Sequence, residues 1–458
     1  MAERDFDAVV IGAGPAGEVM AGRLADAGLD VALVEPELVG GECSFWACMP
    51  SKALLRPAEL LAEVRRVPGL PVDGDRGLDA ERVLARRDEV VHDYDDDAQL
   101  PWIEDRGIEL FRGTGRLDGE RRVAVDGDVL TAHKAVVIAT GSAASAPPID
   151  GLAGVDAWSS REVTSAKQVP ASLIVIGGGV VGTEMAQAWS SLGTSVDLIE
   201  PEERIVIHEE PFASEEVEAA LREHGARVHT DVGVERVSRD GEEGSFTVEL
   251  SNGEKLEGER VLIATGRKPR VGDIGLDSVG IEADGPLEVD DGMRVGERDW
   301  LYAIGDVNGR ALLTHMGKYQ ARVAAANILG GDAAATRDLD GLSPRVIFSD
   351  PEIAAVGYTL AAAKEAGIEA EAVDVSTAGN AGASFHGRNA EGTSRLVIDK
   401  ERRVVVGATF VGPDANELLH AATVAIVGEV PLDRLFEAVP AFPTRNEIWL
   451  NLLEKYGL

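Results

Sequence analysis

One pattern is written twice along this 458-residue chain, and it limits the fold more than any other feature. Phe6–Gly17 reads FDAVVIGAGPAG, and Leu173–Gly182 reads LIVIGGGVVG. Each is a short apolar strand, then glycines, then a stretch with helical apolar spacing. Val19 and Leu24 carry that spacing in the first copy, and Met185, Ala188 and Leu192 in the second. Each copy ends in a second apolar strand closing on an acid, VALVEP at Val31–Pro36 and VDLIEP at Val196–Pro201. A strand–helix–strand unit in duplicate predicts an α/β chain with two Rossmann-like, parallel-sheet domains.

The glycine spacing gives both copies a chemistry. Gly12, Gly14 and Gly17 fit G-x-G-x-x-G, and Gly177, Gly179 and Gly182 repeat it. The first glycine permits a tight turn, the second lets backbone approach a pyrophosphate, and the third lets helix and strand pack closely. The helix N-terminus then offers unpaired N–H groups and a favourable dipole to the anion. Glu35 and Glu200 end the second strands, placed to accept hydrogen bonds from ribose hydroxyls. A carboxylate at Glu200 repels a 2′-phosphate, so NADH is expected over NADPH, with Arg204 close behind as a counterweight.

Charge narrows the partners. The chain has 44 basic and 80 acidic residues, a formal net charge of −36. Such a surface repels phosphate backbones and anionic lipid, so neither nucleic acid nor membrane is an expected partner. No apolar run is long enough to span a bilayer, and Met1–Asp7 carries no leader pattern. With only two cysteines, a secreted disulfide scaffold is excluded and a cytoplasmic location expected.

Further echoes mark the organisation. Val136–Ser142 reads VVIATGS and Leu262–Arg267 reads LIATGR, strands ending in Thr-Gly where one domain can hand over to the next. Trp300–Val307, WLYAIGDV, is another strand, ending at Gly-Asp. Beyond about Gly331 the texture changes. Alternation near Ser394–Ile398 and Arg403–Phe410 predicts antiparallel strands, followed by helices at Ala415–Val427 and Asn446–Lys455. This is a separate C-terminal α+β domain. Val72–Asp79 reads as a surface loop.

Both cysteines lie in Gly40–Lys52, GGECSFWACMPSK, five residues apart. In a regular helix their Cα atoms would be roughly 8–9 Å apart. A disulfide tolerates less than about 7 Å. The pair can bridge only where the helix is broken, and Pro50, which cannot donate to the carbonyl of Trp46, supports a break. A distorted turn there leaves free N–H groups that lower the thiol pKa of Cys48. On the cysteines alone, a second reading as two buried, inert residues stays open.

With that segment the chain resembles the class I pyridine nucleotide–disulfide oxidoreductases, which include dihydrolipoamide dehydrogenase, glutathione reductase and mercuric reductase. The resemblance covers essentially the whole chain. It runs from the first glycine loop through C-x4-C-x-P-S-K, ATGS, the second glycine loop with Glu184, ATGR and Ile304-Gly305-Asp306 to FSDPEIAAVG at Phe348–Gly357. It implies an FAD-binding domain from 1–150 and 270–335, an NAD(P)H-binding domain from 151–269, and a homodimerisation domain from 336–458. It also implies residue roles. Cys48 would lie beneath the flavin as a charge-transfer thiolate, and Cys43 would be the interchange thiol facing the acceptor. Lys52 and Glu184 would pair near flavin N5. Asp306 would bind the ribityl chain, and Thr314–Met316 would lie near the ring, His315 through its side chain or only its backbone. Gly41, Thr140, Gly141, Gly266, Arg267 and Gly305 would complete the cofactor contacts. No resident metal is implied.

One departure stands out. The family ends in a His-Pro-Thr segment, with a glutamate that orients the histidine; the partner subunit supplies it as the acid/base of dithiol exchange. Ala441–Glu447 reads AFPTRNE, so Pro443, Thr444 and Glu447 are present and Phe442 replaces the histidine. A phenyl ring moves no proton, and loss of a positioned acid/base costs about 10²–10⁴-fold. Mercuric reductases also lack this histidine but usually carry a C-terminal cysteine pair, whereas this chain ends Tyr456-Gly457-Leu458. His386 and His420 are the C-terminal histidines to examine as substitutes. Phe45 and Trp46, between the cysteines, are either core packing or a platform for a planar acceptor. The expected activity is transfer of electrons from NAD(P)H through FAD to Cys43–Cys48. From there they reach an acceptor that does not need the histidine: a metal ion, a quinone, an electrophile or an unusual disulfide. The alternatives are a dihydrolipoamide dehydrogenase-like enzyme or small-molecule flavin dehydrogenase, and a redox-sensing flavoprotein of low turnover.

Overall fold

The computed structural model describes residues 3–69, 77–241, 244–336, 341–388 and 390–458. Of the loop expected at Val72–Asp79, residues 72–76 lie outside the described residues, and 77–79 have no regular structure. The chain divides into two compact units. The first comprises Met1–Pro50, Asp88–Ser145 and Arg267–Ser343, and the second Ser51–Arg87, Ala146–Gly266 and Pro344–Leu458.

The first unit is built on β1 (Glu3–Ile11), α1 (Pro15–Asp26) and β2 (Val31–Glu35). β1 pairs in parallel with β2 on one side and with Asp128–Ile138 on the other. Glu109–Arg112 extends the sheet beyond β2, Leu301–Ala303 pairs in parallel with Asp128–Ile138, and an antiparallel ribbon of Arg122–Val125 and Gly115–Leu117 closes the far edge. The Val-Ala-rich run Ala8–Ile11 is buried on both faces, as a central parallel strand requires. The turn into α1 works only with glycine. Gly12 has φ +103, and a Cβ there would lie 2.4 Å from the Ala139 carbonyl oxygen. Pro15 opens α1, where its missing N–H costs nothing.

The second unit repeats the design. Ser172–Ile176 lies between Ser195–Ile199 and Arg260–Ile263 in a four-stranded parallel sheet, with the helix Val180–Ser191 following its glycine turn. A three-stranded antiparallel ribbon, Val234–Arg239, Phe246–Leu250 and Lys255–Gly258, belongs to the same unit. A five-stranded antiparallel sheet follows, centred on Val404–Gly412, all nine residues of which are buried. The helices Asn416–Val427 and Glu447–Tyr456 share its core, with Leu418, Ile448 and Trp449 packed around Phe410. The C-terminal segment is therefore α+β, as its alternation predicts.

Cofactor cradles and the cysteine pair

The two glycine turns have the same geometry. In each, the third glycine sits against the first: a Cβ on Gly17 would lie 1.9 Å from the Gly12 oxygen, and one on Gly182 1.9 Å from the Gly177 oxygen. In each, the middle glycine, Gly14 or Gly179, has no atom within 4 Å of where a Cβ would stand. A side chain there would fill the approach to the helix N-terminus, which is the space a pyrophosphate needs. The acids are held alike. Glu35 accepts from Ala13 N–H at 2.8 Å and Glu37 N–H at 2.9 Å. Glu200 accepts from Gly178 N–H at 2.7 Å and Glu202 N–H at 3.0 Å. Burial raises the Glu35 carboxyl above its ordinary range, against those N–H bonds. Both turns thus fit a dinucleotide. Arg204 turns inward: its guanidinium donates to the carbonyls of Ile207 and Glu209 and to Ser214 Oγ, each at 3.0 Å.

In the first unit a polar network surrounds Asp306. Ser142 Oγ donates to Asp306 Oδ2 at 2.6 Å, and Arg267 donates through Nε to Ser142 Oγ at 2.7 Å. Arg270 donates to Glu42 Oε1 at 2.7 Å, Thr140 Oγ1 donates to the Arg270 carbonyl, and Arg270 N–H donates to the Gly141 carbonyl. Asp306, Arg267, Thr140 and Gly141 thus meet, joined by Ser142, Glu42 and Arg270, which sequence reading did not single out. Gly305 N–H donates to Gln320 at 2.7 Å. Gly41 has φ +57, and its Cβ would touch Gly14 Cα at 2.9 Å, so the cysteine segment starts against the first cradle. Gly266 belongs to the second unit, with φ +122.

The cysteines stand at a helix break. α2 (Gly41–Phe45) ends at Trp46, whose φ of −133° and ψ of 3° are not helical, and α3 (Cys48–Arg66) begins at Cys48. The expected distorted turn is therefore two separate helices, with Pro50 in the first turn of α3, where a missing donor is tolerated. No disulfide joins Cys43 and Cys48; they form the thiol state of the pair, hydrogen-bonded to each other. That hydrogen bond, then burial, pushes the Cys43 thiol far up, while the Thr314 hydroxyl and the charge of Lys318 pull it down. Thr314 Oγ1 lies 3.4 Å from Cys48 Sγ, and His315 beside it is exposed. Phe45 is buried. Trp46 has Phe45 on one side, ring centres 5.7 Å apart, and the stacked ring of Tyr94 at 6.4 Å. His92, Asp93 and Tyr94 all have positive φ, a strained run that sets Tyr94 against Trp46.

In the second unit Lys52 Nζ donates to Glu184 Oε1 at 3.0 Å and Oε2 at 2.8 Å, and lies 4.7 Å from the Phe348 ring centre. Glu184 is 3% exposed and also accepts from Phe348 N–H. Phe442 is 77% exposed, near Val439 in sequence at 84%. Glu447 Oε2 accepts from Gly382 N–H at 3.2 Å. His386 Nδ1 lies 3.3 Å from Asp414; burial, then Arg445, lowers its pKa. His420 is exposed.

Two sequence comparisons decide the family. Residues 6–326 match the model of the pyridine nucleotide-disulphide oxidoreductases, and residues 343–452 match that family's dimerisation domain. The chain belongs to this family. It is 33% identical over 449 residues to mercuric reductase of Bacillus cereus, covering 97% of this chain and 70% of the relative. It is 33% identical over 453 residues to dihydrolipoyl dehydrogenase of Chlamydia muridarum, covering 97% and 95%. LpdA from Mycobacterium tuberculosis superposes with a TM-score of 0.86 at 25% identity over the full length of both chains. The HOCl-induced flavoprotein disulfide reductase RclA from Escherichia coli, 24% identical over 98% of this chain and 99% of RclA, has a TM-score of 0.85 and shares the fold. This oxidoreductase is an NAD(P)H-dependent flavoprotein with FAD as its cofactor, and its dimerisation domain supports a homodimer. No helix among the described residues is long and apolar enough to cross a membrane.

Proposed function

We propose that this oxidoreductase takes electrons from NADH and delivers them through Cys43–Cys48 to an acceptor that needs no histidine. The observation that carries the reading is a thiol pair at a helix break in a chain whose Pro-Thr segment presents Phe442. FAD would supply the redox centre between the nicotinamide and the cysteines. Gly12, Gly14, Gly17, Glu35, Gly41 and the Asp306 network would hold it. Gly177, Gly179, Gly182 and Glu200 would hold the nicotinamide dinucleotide. Glu200, fixed on both oxygens, and Arg204, occupied by backbone carbonyls, support NADH over NADPH. Lys52 and Glu184 form the charged pair assigned to the hydride-accepting side. Cys43 is assigned to the acceptor and Cys48 to the flavin. The hydrogen bond from Cys48, then burial, raises the Cys43 thiol. Residues 1–150 with 270–335, 151–269 and 336–458 would form the FAD, nucleotide and dimerisation parts. A chain with only two cysteines, which cycle between dithiol and disulfide in catalysis, suits a cytoplasmic location.

Phe442→His is the test. If only the proton partner is missing, dihydrolipoamide turnover rises on the order of 10²-fold or more. Reduction of a metal ion or quinone changes little, and Cys43→Ser abolishes it. Unchanged acceptor reduction in Cys43→Ser would refute the relay.

A further inference from the structure

Glu200 is held through a relay of contacts that runs outward along the chain. Gly178 N–H donates to Glu200 Oε2 at 2.7 Å, and the Gly178 carbonyl accepts from Val206 N–H at 2.8 Å. Ile205 closes on the same glycine, where a Cβ would lie 2.8 Å from Ile205 Cγ2. One glycine of the turn thus joins Glu200 to the segment that follows it. That segment is strained where it makes the bond. Val206 has φ +43, a left-handed backbone that a β-branched residue rarely adopts, and its side chain is buried. Such a conformation persists only where its surroundings impose it.

Two arginines hold it. The Val206 carbonyl accepts from Glu209 N–H at 2.9 Å, closing a turn that Arg204 braces through the Ile207 and Glu209 carbonyls. Arg345 then grips both oxygens of the Glu209 carboxylate, from Nε at 2.6 Å and from Nη2 at 2.8 Å. The pair is nearly buried, the side chains 15% and 5% exposed. A two-point contact of this kind fixes direction as well as distance. Arg345 opens the strand Arg345–Ile347, in the part of the chain that matches the dimerisation domain, and it lies in the same compact unit as Glu209.

We propose that Arg345 is a positioning residue for the nicotinamide dinucleotide, acting through Glu209 and the Val206 turn on Gly178 and Glu200. This rests on the reading of the second glycine turn as the nicotinamide site. With the pair in place, the free protein already holds Val206 at positive φ and Glu200 in its binding position, so the ligand meets a preorganised cradle. Without the pair, Val206 relaxes to negative φ in the free protein, and the ligand must restore the strained form as it binds. The loss falls on affinity and spares the chemical step that follows binding.

The FAD-loaded protein is assayed with NADH as the varied substrate and ferricyanide as a fixed acceptor. Arg345→Met is combined with Glu209→Gln, so that no buried charge is left unpaired. KM for NADH should rise on the order of tenfold with kcat nearly unchanged. Adding Val206→Gly should bring most of that loss back, because glycine takes positive φ without strain. A merely loosened fold would be loosened further by losing the valine side chain. Glu209→Gln alone should show the same split at a factor of about three, and it carries the test if the double variant does not fold. A wild-type KM for NADH in these variants, or a rise that Val206→Gly does not reverse, overturns the role of Arg345. Glu200→Ala in the same assay separates the parent reading. If it raises KM for NADH while the Arg345 and Glu209 variants do not, only the role of Arg345 fails; if it leaves KM unchanged, the nicotinamide site is misplaced and both fall.

Discussion

Replacing Glu200 with alanine should reverse the choice between the two nicotinamide cofactors. In the structure the carboxylate is gripped by Gly178 N–H and Glu202 N–H, so it cannot swing away from a ligand. A 2′-phosphate placed where this acid would hold a ribose hydroxyl meets a fixed negative charge. Two unit charges 4 Å apart repel by about 1 kcal/mol in water and about 4 kcal/mol near a protein surface. Glu200 is half-exposed, so about 2 kcal/mol is a fair intermediate, or roughly 30-fold in affinity. The same substitution removes a charged acceptor from the NADH ribose, a loss of about 1.5 kcal/mol, or roughly tenfold. Together the ratio of kcat/KM for NADH over NADPH should fall by about two orders of magnitude. The assay holds one artificial acceptor constant and varies the nucleotide at low salt, where such repulsion is least screened. Arg204→Ala should leave the ratio nearly unchanged, because its guanidinium already serves Ile207, Glu209 and Ser214. A wild-type protein that favours NADPH, or an unaltered ratio in Glu200→Ala, would show that Glu200 does not set the preference.

Lys52→Met strips the buried Glu184 carboxylate of its counter-ion and leaves the Phe348 N–H donating to it. The first thermal transition should lose about 3 kcal/mol, and Glu184→Gln in the same background should recover much of it. Glu352 is buried, and burial pushes its carboxyl up to about 7 from 4.5 despite the hydrogen bonds from Asn416. Its folded pKa lies above the unfolded one, so the folded protein binds the extra proton between them. Stability from this group is fully present below about 4.5 and is lost as pH rises through 7. Glu352→Gln should therefore gain on the wild type above neutrality, and the gain should vanish in acid. Parallel stability curves for the two proteins would count against this.

The cradles were legible because their spacing rule is local: the third glycine of each must lie against the carbonyl of the first, five residues earlier. The break between the cysteines was legible from Pro50. Its form was not, because Trp46 leaves the helix through contacts with Tyr94, which a strained turn at His92 and Asp93 holds from 48 residues away. Of the two readings of Phe45 and Trp46, the ring contacts of Trp46 with Phe45 and Tyr94 support packing. The Asp306 network was half visible. Arg267 and Asp306 stood in motifs, but Ser142, Glu42 and Arg270 join them only once the strands Ser142–Ala144 and Arg267–Pro269 pair.

In the proposed reaction the electrons pass through Cys43 and Cys48. An anaerobic titration of the FAD-loaded protein with NADH, followed by visible absorbance, tests it directly. After one equivalent a long-wavelength thiolate–flavin band should appear with the main flavin absorbance largely retained, and it should be absent in Cys48→Ser. Direct bleaching of the flavin by the first equivalent, with the wild type and Cys48→Ser behaving alike, would contradict it.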